Sequence, residues 1–139
     1  MVHALLQVRR ILRPGGWLIN IHDLPAPHVI EVHLSDTIRK VGWLMARDDF
    51  EAERSAFNAL AQVVSEGHFD LDDEREFSFR LHVDGLDELQ GWLSTTWESA
   101  LLTEGTTQRI EKLISTSGQP AEIVIVEPAR MTKLRASSA

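Results

Sequence analysis

The strongest constraint on this chain is a change of hydrophobic period across Pro14-Gly15-Gly16. Before it, Leu5, Val8 and Leu12 recur at spacings of three and four, with Ile11 beside them, which predicts a helix over residues 4–12. Arg9, Arg10 and Arg13 fall in its last turns, where positive charge meets the negative end of the helix dipole. Proline cannot continue the helical ladder, and the two glycines permit a sharp reversal. Trp17-Leu18-Ile19-Asn20-Ile21-His22 follows at once. A near-continuous apolar run of this length reads as a strand buried on both faces. Helix, reversal and strand make an α/β step.

The rest of the chain extends that pattern. Residues 23–35 contain Pro25 and Pro27 and read as irregular, and Ile38, Val41, Trp43 and Leu44 predict a short helix over 35–46. A second helix is expected to about residue 65, with Asp48 or Asp49 as its cap, Glu51 as the third-position partner and Gly67 as its end. Phe50, Phe57, Leu60, Ala61 and Val64 form its apolar stripe. Phe77, Phe79, Leu81 and Val83 alternate with polar residues, as in an outer strand with one wet face. Leu86, Leu89, Trp92 and Leu93 predict another helix. A further one starts at Thr106 or Thr107 and ends at Gly118. Between Pro120 and Pro128, residues 121–127 are rich in β-branched side chains and read as a second buried strand.

With 139 residues the chain suits one domain, here residues 1–135, followed by a frayed tail over 136–139. No apolar run approaches the ~20 residues of a spanning helix. The absence of cysteine excludes disulfides and thiolate chemistry. The N-terminal residues lack a signal-peptide pattern, so a cytoplasmic address and no membrane partner are expected. A net charge of -7 argues against a nucleic-acid surface. That charge is concentrated: residues 48–104 hold fifteen acidic against three basic side chains. Such a stretch serves as solvated faces or as a docking surface for a basic partner. Arg130, Lys133 and Arg135 form either a basic exposed terminus or a site for an anion or an acidic segment.

Residues 5–21, with Arg10-Ile11-Leu12-Arg13-Pro14-Gly15-Gly16 at their centre, resemble the segment leading into the fifth strand of class I S-adenosylmethionine-dependent methyltransferases. The resemblance implies a doubly wound sheet in which strand 77–83 is the sixth and strand 121–127 the seventh, inserted antiparallel between fifth and sixth. It is specific in motif only over residues 5–22. That family grips its cofactor with a glycine-rich turn after the first strand and an acidic residue after the second, for close backbone approach and ribose binding. No Gly-x-Gly occurs among the eight glycines here. The expected fold is therefore a truncated doubly wound α/β sheet of about three strands, 17–22, 77–83 and 121–127, with flanking helices. It resembles the C-terminal half of the enzyme without the S-adenosylmethionine-binding half, and as an isolated chain it is expected to hold no cofactor and to be inactive. The open edge of strand 17–22 is expected to take a second copy in a homodimer, the alternatives being a complementary N-terminal polypeptide or cover by the chain's own helices.

His22 and Asp23 stand at the end of a strand where open α/β sheets bind ligands. His22 there reads either as a general base or, with Asp23 bonding loop amides, as part of a capped strand end. The segment His22 to His33, with Asp23, His28 and Glu31, carries imidazoles and carboxylates that read as a metal-binding loop or as a solvated one. Three functions remain open: half of a methyltransferase, a stand-alone dimerisation module derived from one, and a metal-binding protein. Trp43 and Trp97 are candidate interface anchors, with Trp17 and Trp92 assigned to the core.

Overall fold

The computed structural model describes residues 1–137. In chain order its elements are α1 (Val2–Ile11), β1 (Trp17–Asp23), β2 (His28–His33), β3 (Ile38–Ala46), α2 (Glu51–Ser65), β4 (Phe69–Val83), α3 (Leu86–Thr96), β5 (Ala100–Leu101), α4 (Glu104–Ser117) and β6 (Glu122–Ala136). The strands bond in the order β1-β6-β2-β3-β5, with β4 also paired to β6, and every registered pair is antiparallel. The class is α/β. The three strands expected become six among the described residues, in an open sheet. No helix among the described residues is long and apolar enough to cross a membrane. The chain groups into two compact units, one built from Met1–Pro25, Phe50–Phe77 and residues from Pro128 onward, the other from Ala26–Asp49 and Ser78–Glu127.

In the first unit, α1 stops where expected. Gly15 takes the left-handed conformation (φ +73°) at a position where a side chain would be strained. The reversal is tied to the end of β6: Gly15 N–H donates to the Ala136 carbonyl at 3.0 Å, and Ala136 N–H donates to the Gly16 carbonyl at 2.8 Å. Arg9 reinforces it by donating to the carbonyls of His68 and Ser137. Ala136 is buried and closes β6, which corrects the expected start of a frayed tail; residues 138–139 lie outside the described residues. Leu5, Leu60, Val63, Phe69 and Leu134 form the core, with Leu18 packed against it.

The expectation that strand 17–22 is buried on both faces is corrected. Alternate side chains Leu18, Asn20 and His22 are half-buried, whereas Trp17, Ile19 and Ile21 are 46%, 57% and 54% exposed. An apolar run fits burial on both faces, but the core of this unit covers only one of them. The cap of α2 also differs. Phe50, buried and left-handed (φ 59°), occupies the N-cap position without a side-chain cap bond, so neither Asp48 nor Asp49 serves. Gly67 (φ +76°) follows the helix as expected.

β6 runs between β1 and β4 in this unit. β1 takes one edge of β6 over Ala129 to Arg135. Over the same residues Lys133 pairs with Asp72 at 3.2 Å, and Arg130 with Glu74 at 3.4 Å and Glu76 at 2.6 Å, so β4 takes the other edge. The numbering of these pairs runs in opposite directions, so β4 is antiparallel to β6 and parallel to β1. Arg130 and Lys133, two of the three basic residues after the expected last strand, thus meet the acidic middle of the same chain.

In the second unit the expected irregular stretch and the helix over 35–46 are both replaced by a β2–β3 hairpin. Ile30, Val32, Val41 and Leu44 pack with Leu89, Ile110, Ile123 and Ile125. Ile30 faces Gly42 and Glu31 faces Lys40, so Val41 is an extra residue in β3, a β-bulge. The Val41 carbonyl accepts from Arg109 Nε at 2.6 Å. Helix α4 begins at Glu104, earlier than expected, because Thr103 Oγ1 accepts from Thr106 N–H; it ends at left-handed Gly118 as expected. β4 is far longer than residues 77–83, and only Leu81 and Val83 of the expected apolar face turn inward; Phe77 and Phe79 are exposed.

Candidate functional site

The first candidate lies in the first unit, at the C-terminal end of β1. The pleat sends Asn20 and His22 to the side that α2 covers. His22 lies 6.0 Å from the Phe57 ring, centroid to centroid. Its cross-strand partner Arg130 also lies over Phe57, at 5.1 Å. The hydrogen bond to Glu76, with the Glu74 carboxylate nearby, raises the Arg130 pKa further above its ordinary value. Arg130, Thr132 and Leu134 line one wall of an open hollow of about 490 Å³, with Phe57, Leu60 and Val64 of α2 opposite. Thr132 Oγ1 and Arg130 Nε of that wall are buried with no hydrogen-bond partner, as is Nδ2 of Asn20, the cross-strand partner of Thr132. The structure brings His22 together with Arg130 and Phe57. Asp23 faces Ala129 across the ladder.

This end of β1 does not offer the features that grip S-adenosylmethionine by the route the resemblance implies. The left-handed glycines Gly15, Gly67 and Gly118 each follow a helix, not a strand. The strand-to-helix turn that does carry glycine, ahead of α3, has Gly85 alone, flanked by Asp84, Asp87 and Glu88. A cradle of that kind needs closely spaced glycines and accessible amides. The residues present do not fit the group.

The second candidate is a chain of charges in the second unit. His33 Nε2 stands 2.8 Å from Glu31 Oε2, and Arg80 donates to the same oxygen at 3.1 Å. His33 is the cross-strand partner of Glu122, which pairs with His82 Nδ1 at 3.0 Å. The two rings meet edge-on, 6.3 Å apart. The hydrogen bond from His33, helped by Arg80, lowers the Glu31 pKa below the ordinary carboxylate value. A carboxyl whose folded pKa is depressed adds stability that is complete above its unfolded value and is lost as pH falls through the folded one. The thermal midpoint of Glu31→Gln should therefore fall less steeply than that of the parent as pH drops from neutrality into the acid range.

The segment from His22 to His33, expected as a metal-binding or a solvated loop, is mostly strand. β1 extends to Asp23 and β2 starts at His28, leaving only residues 24–27 between them. His28 and His33 lie on opposite faces of β2: His28 is buried with its ring 4.8 Å from that of Trp97, and His33 faces His82. Among the described residues no group of three or more His, Asp or Glu side chains is placed to hold a metal ion. Sequence reasoning missed Arg80, His82 and Glu122. The even spacing of Arg80 and His82 puts them on one face, but the partner of Arg80, Glu31, sits on β2, in the stretch expected to be irregular, and the partner of His82, Glu122, sits on β6. Of the tryptophans, Trp17 and Trp43 are exposed, Trp43 with Lys40 over its ring at 4.0 Å, while Trp92 and Trp97 pack against the second core. No protein-family model matches the chain, and no curated protein or solved structure is significantly similar to it.

Proposed function

We propose that this chain is the C-terminal half of a class I methyltransferase-like sheet, retained as a scaffold and association module that does not grip S-adenosylmethionine by itself. The observation that carries the reading is the placement of β6 between β1 and β4, antiparallel to both. That is the position the resemblance implies for a seventh strand between fifth and sixth. The Pro14-Gly15-Gly16 reversal leading from α1 into β1 supports it further. In a doubly wound sheet helices cover both faces, and the core here covers only one side of β1. The module reading gains from the apolar stripe this leaves, Trp17, Ile19 and Ile21, on a strand with a single paired edge.

Calorimetric titration with S-adenosylmethionine tests the proposal. No binding tighter than a dissociation constant of about 1 mM, roughly -4 kcal/mol, is expected. Saturable binding well below that concentration would sink it.

A further inference from the structure

The geometry points to a second copy of this chain as the occupant of the open β1 edge, paired antiparallel about a two-fold axis at Asn20; this names the partner of the module proposed above and rests on that reading. The argument begins with the backbone. Leu24 N–H donates to the Pro128 carbonyl, and the Gly16 carbonyl accepts from Ala136 N–H. Backbone direction alternates along a strand, so even-numbered residues address β6. Trp17, Ile19, Ile21 and Asp23 then turn their N–H and C=O groups to the open edge. The same four residues share the face that the core leaves bare. An apolar edge with unpaired backbone groups is a template for another strand.

The sequence of that edge complements itself. A two-fold axis at Asn20 places Trp17 opposite Asp23 and Ile19 opposite Ile21, so all four outward residues of each strand pair at once. An offset in either direction leaves part of the edge unpaired. The charges agree with this register. Lys133 lies over the Trp17 ring at 3.5 Å, and exposed Arg135 is the cross-strand partner of Trp17, so one end of the face is basic. Asp23 supplies an acidic group at the other end. The two-fold operation sets each Asp23 beside the basic end of the other copy, the self-complementarity an isologous interface requires.

Sedimentation at micromolar concentration is expected to give a dimer for the parent chain. Ile19→Lys places a charge at the centre of the apolar stripe and should weaken association at least ~100-fold while leaving the circular dichroism spectrum intact. Asn20→Cys gives a chain with one cysteine, and the proposed axis puts the two copies of it at a non-hydrogen-bonded position. There the Cα separation is about 4.5 Å, within disulfide range. Mild oxidation should link it fully. A parent chain that sediments as a monomer overturns the proposal, as does a dimer in which Asn20→Cys stays unlinked; the cysteine variant decides alone if Ile19→Lys fails to fold. Donor binding is read separately. A monomer that ignores S-adenosylmethionine removes only the pairing, and a dimer that binds it removes only the scaffold reading.

Discussion

Replacing Ile125 with alanine is expected to lower the unfolding free energy by about 2–5 kcal/mol, read as a shift in the urea midpoint at unchanged slope. Ile125 is fully buried on β6, and its cross-strand partner Ile30 is equally enclosed. Both belong to the core that gathers Leu44 of β3, Leu89 of α3 and Ile110 of α4. Truncation removes apolar area and leaves a space bounded by side chains from several elements, none free to collapse alone. Domains of this size are stable by only about 5–15 kcal/mol, so the variant should approach the limit of folding at moderate temperature. Ile38→Ala is the control. Ile38 is exposed in the same unit, and its loss should change stability by less than about 0.5 kcal/mol. A loss at Ile38 as large as at Ile125 would contradict this placement of the core.

The second large effect is expected at Gly42. A Cβ there would stand 2.4 Å from Thr106 Oγ1 and 2.9 Å from its Cγ2, and Thr106 is buried. Neither side can give freely. Thr106 lies in the first turn of α4, is bonded to Thr103 Oγ1, and accepts from Arg109. Arg109 in turn holds the carbonyl of the bulged Val41. Gly42→Ala should therefore cost about 1–3 kcal/mol by chemical denaturation. Combining it with Thr106→Ala removes both clashing atoms. The double variant should be clearly more stable than the sum of the single losses, a coupling of about 1 kcal/mol or more. Simple additivity would mean that β3 and α4 do not meet as described.

The elements that sequence reasoning placed well are those with local punctuation. Pro14-Gly15-Gly16, Gly67 and Gly118 each end a helix as expected, and the last two helices follow their 3.6-residue period. The hairpin over 28–46 was lost for a physical reason. Ile38, Val41, Trp43 and Leu44 satisfy a helical stripe about as well as a bulged strand, and a bulge breaks the period of two that would have marked β3. In addition, Pro25 and Pro27 drew the whole stretch toward irregular structure, although His28-Val29-Ile30-Glu31-Val32-His33 alternates in burial once β2 is paired. The site followed the same division. His22 was found because it ends a well-marked strand. The Arg80–Glu31 and His82–Glu122 pairs were not, because pairing across strands depends on a register that no single segment contains. Burial of β1 was overestimated for a related reason: composition reports that side chains are apolar, but only the neighbours decide whether they are covered.

β6 is a single strand of fifteen residues. Ile123 and Ile125 enter one core and Leu134 and Ala136 the other, while Pro128 between them lacks an amide hydrogen. Sliding this strand by one position would turn both hydrophobic sets outward together, since the pleat reverses every side chain at each step. Mispairing is thus opposed twice over, and this long strand acts as a ruler against which β1 and β2 find their alignment.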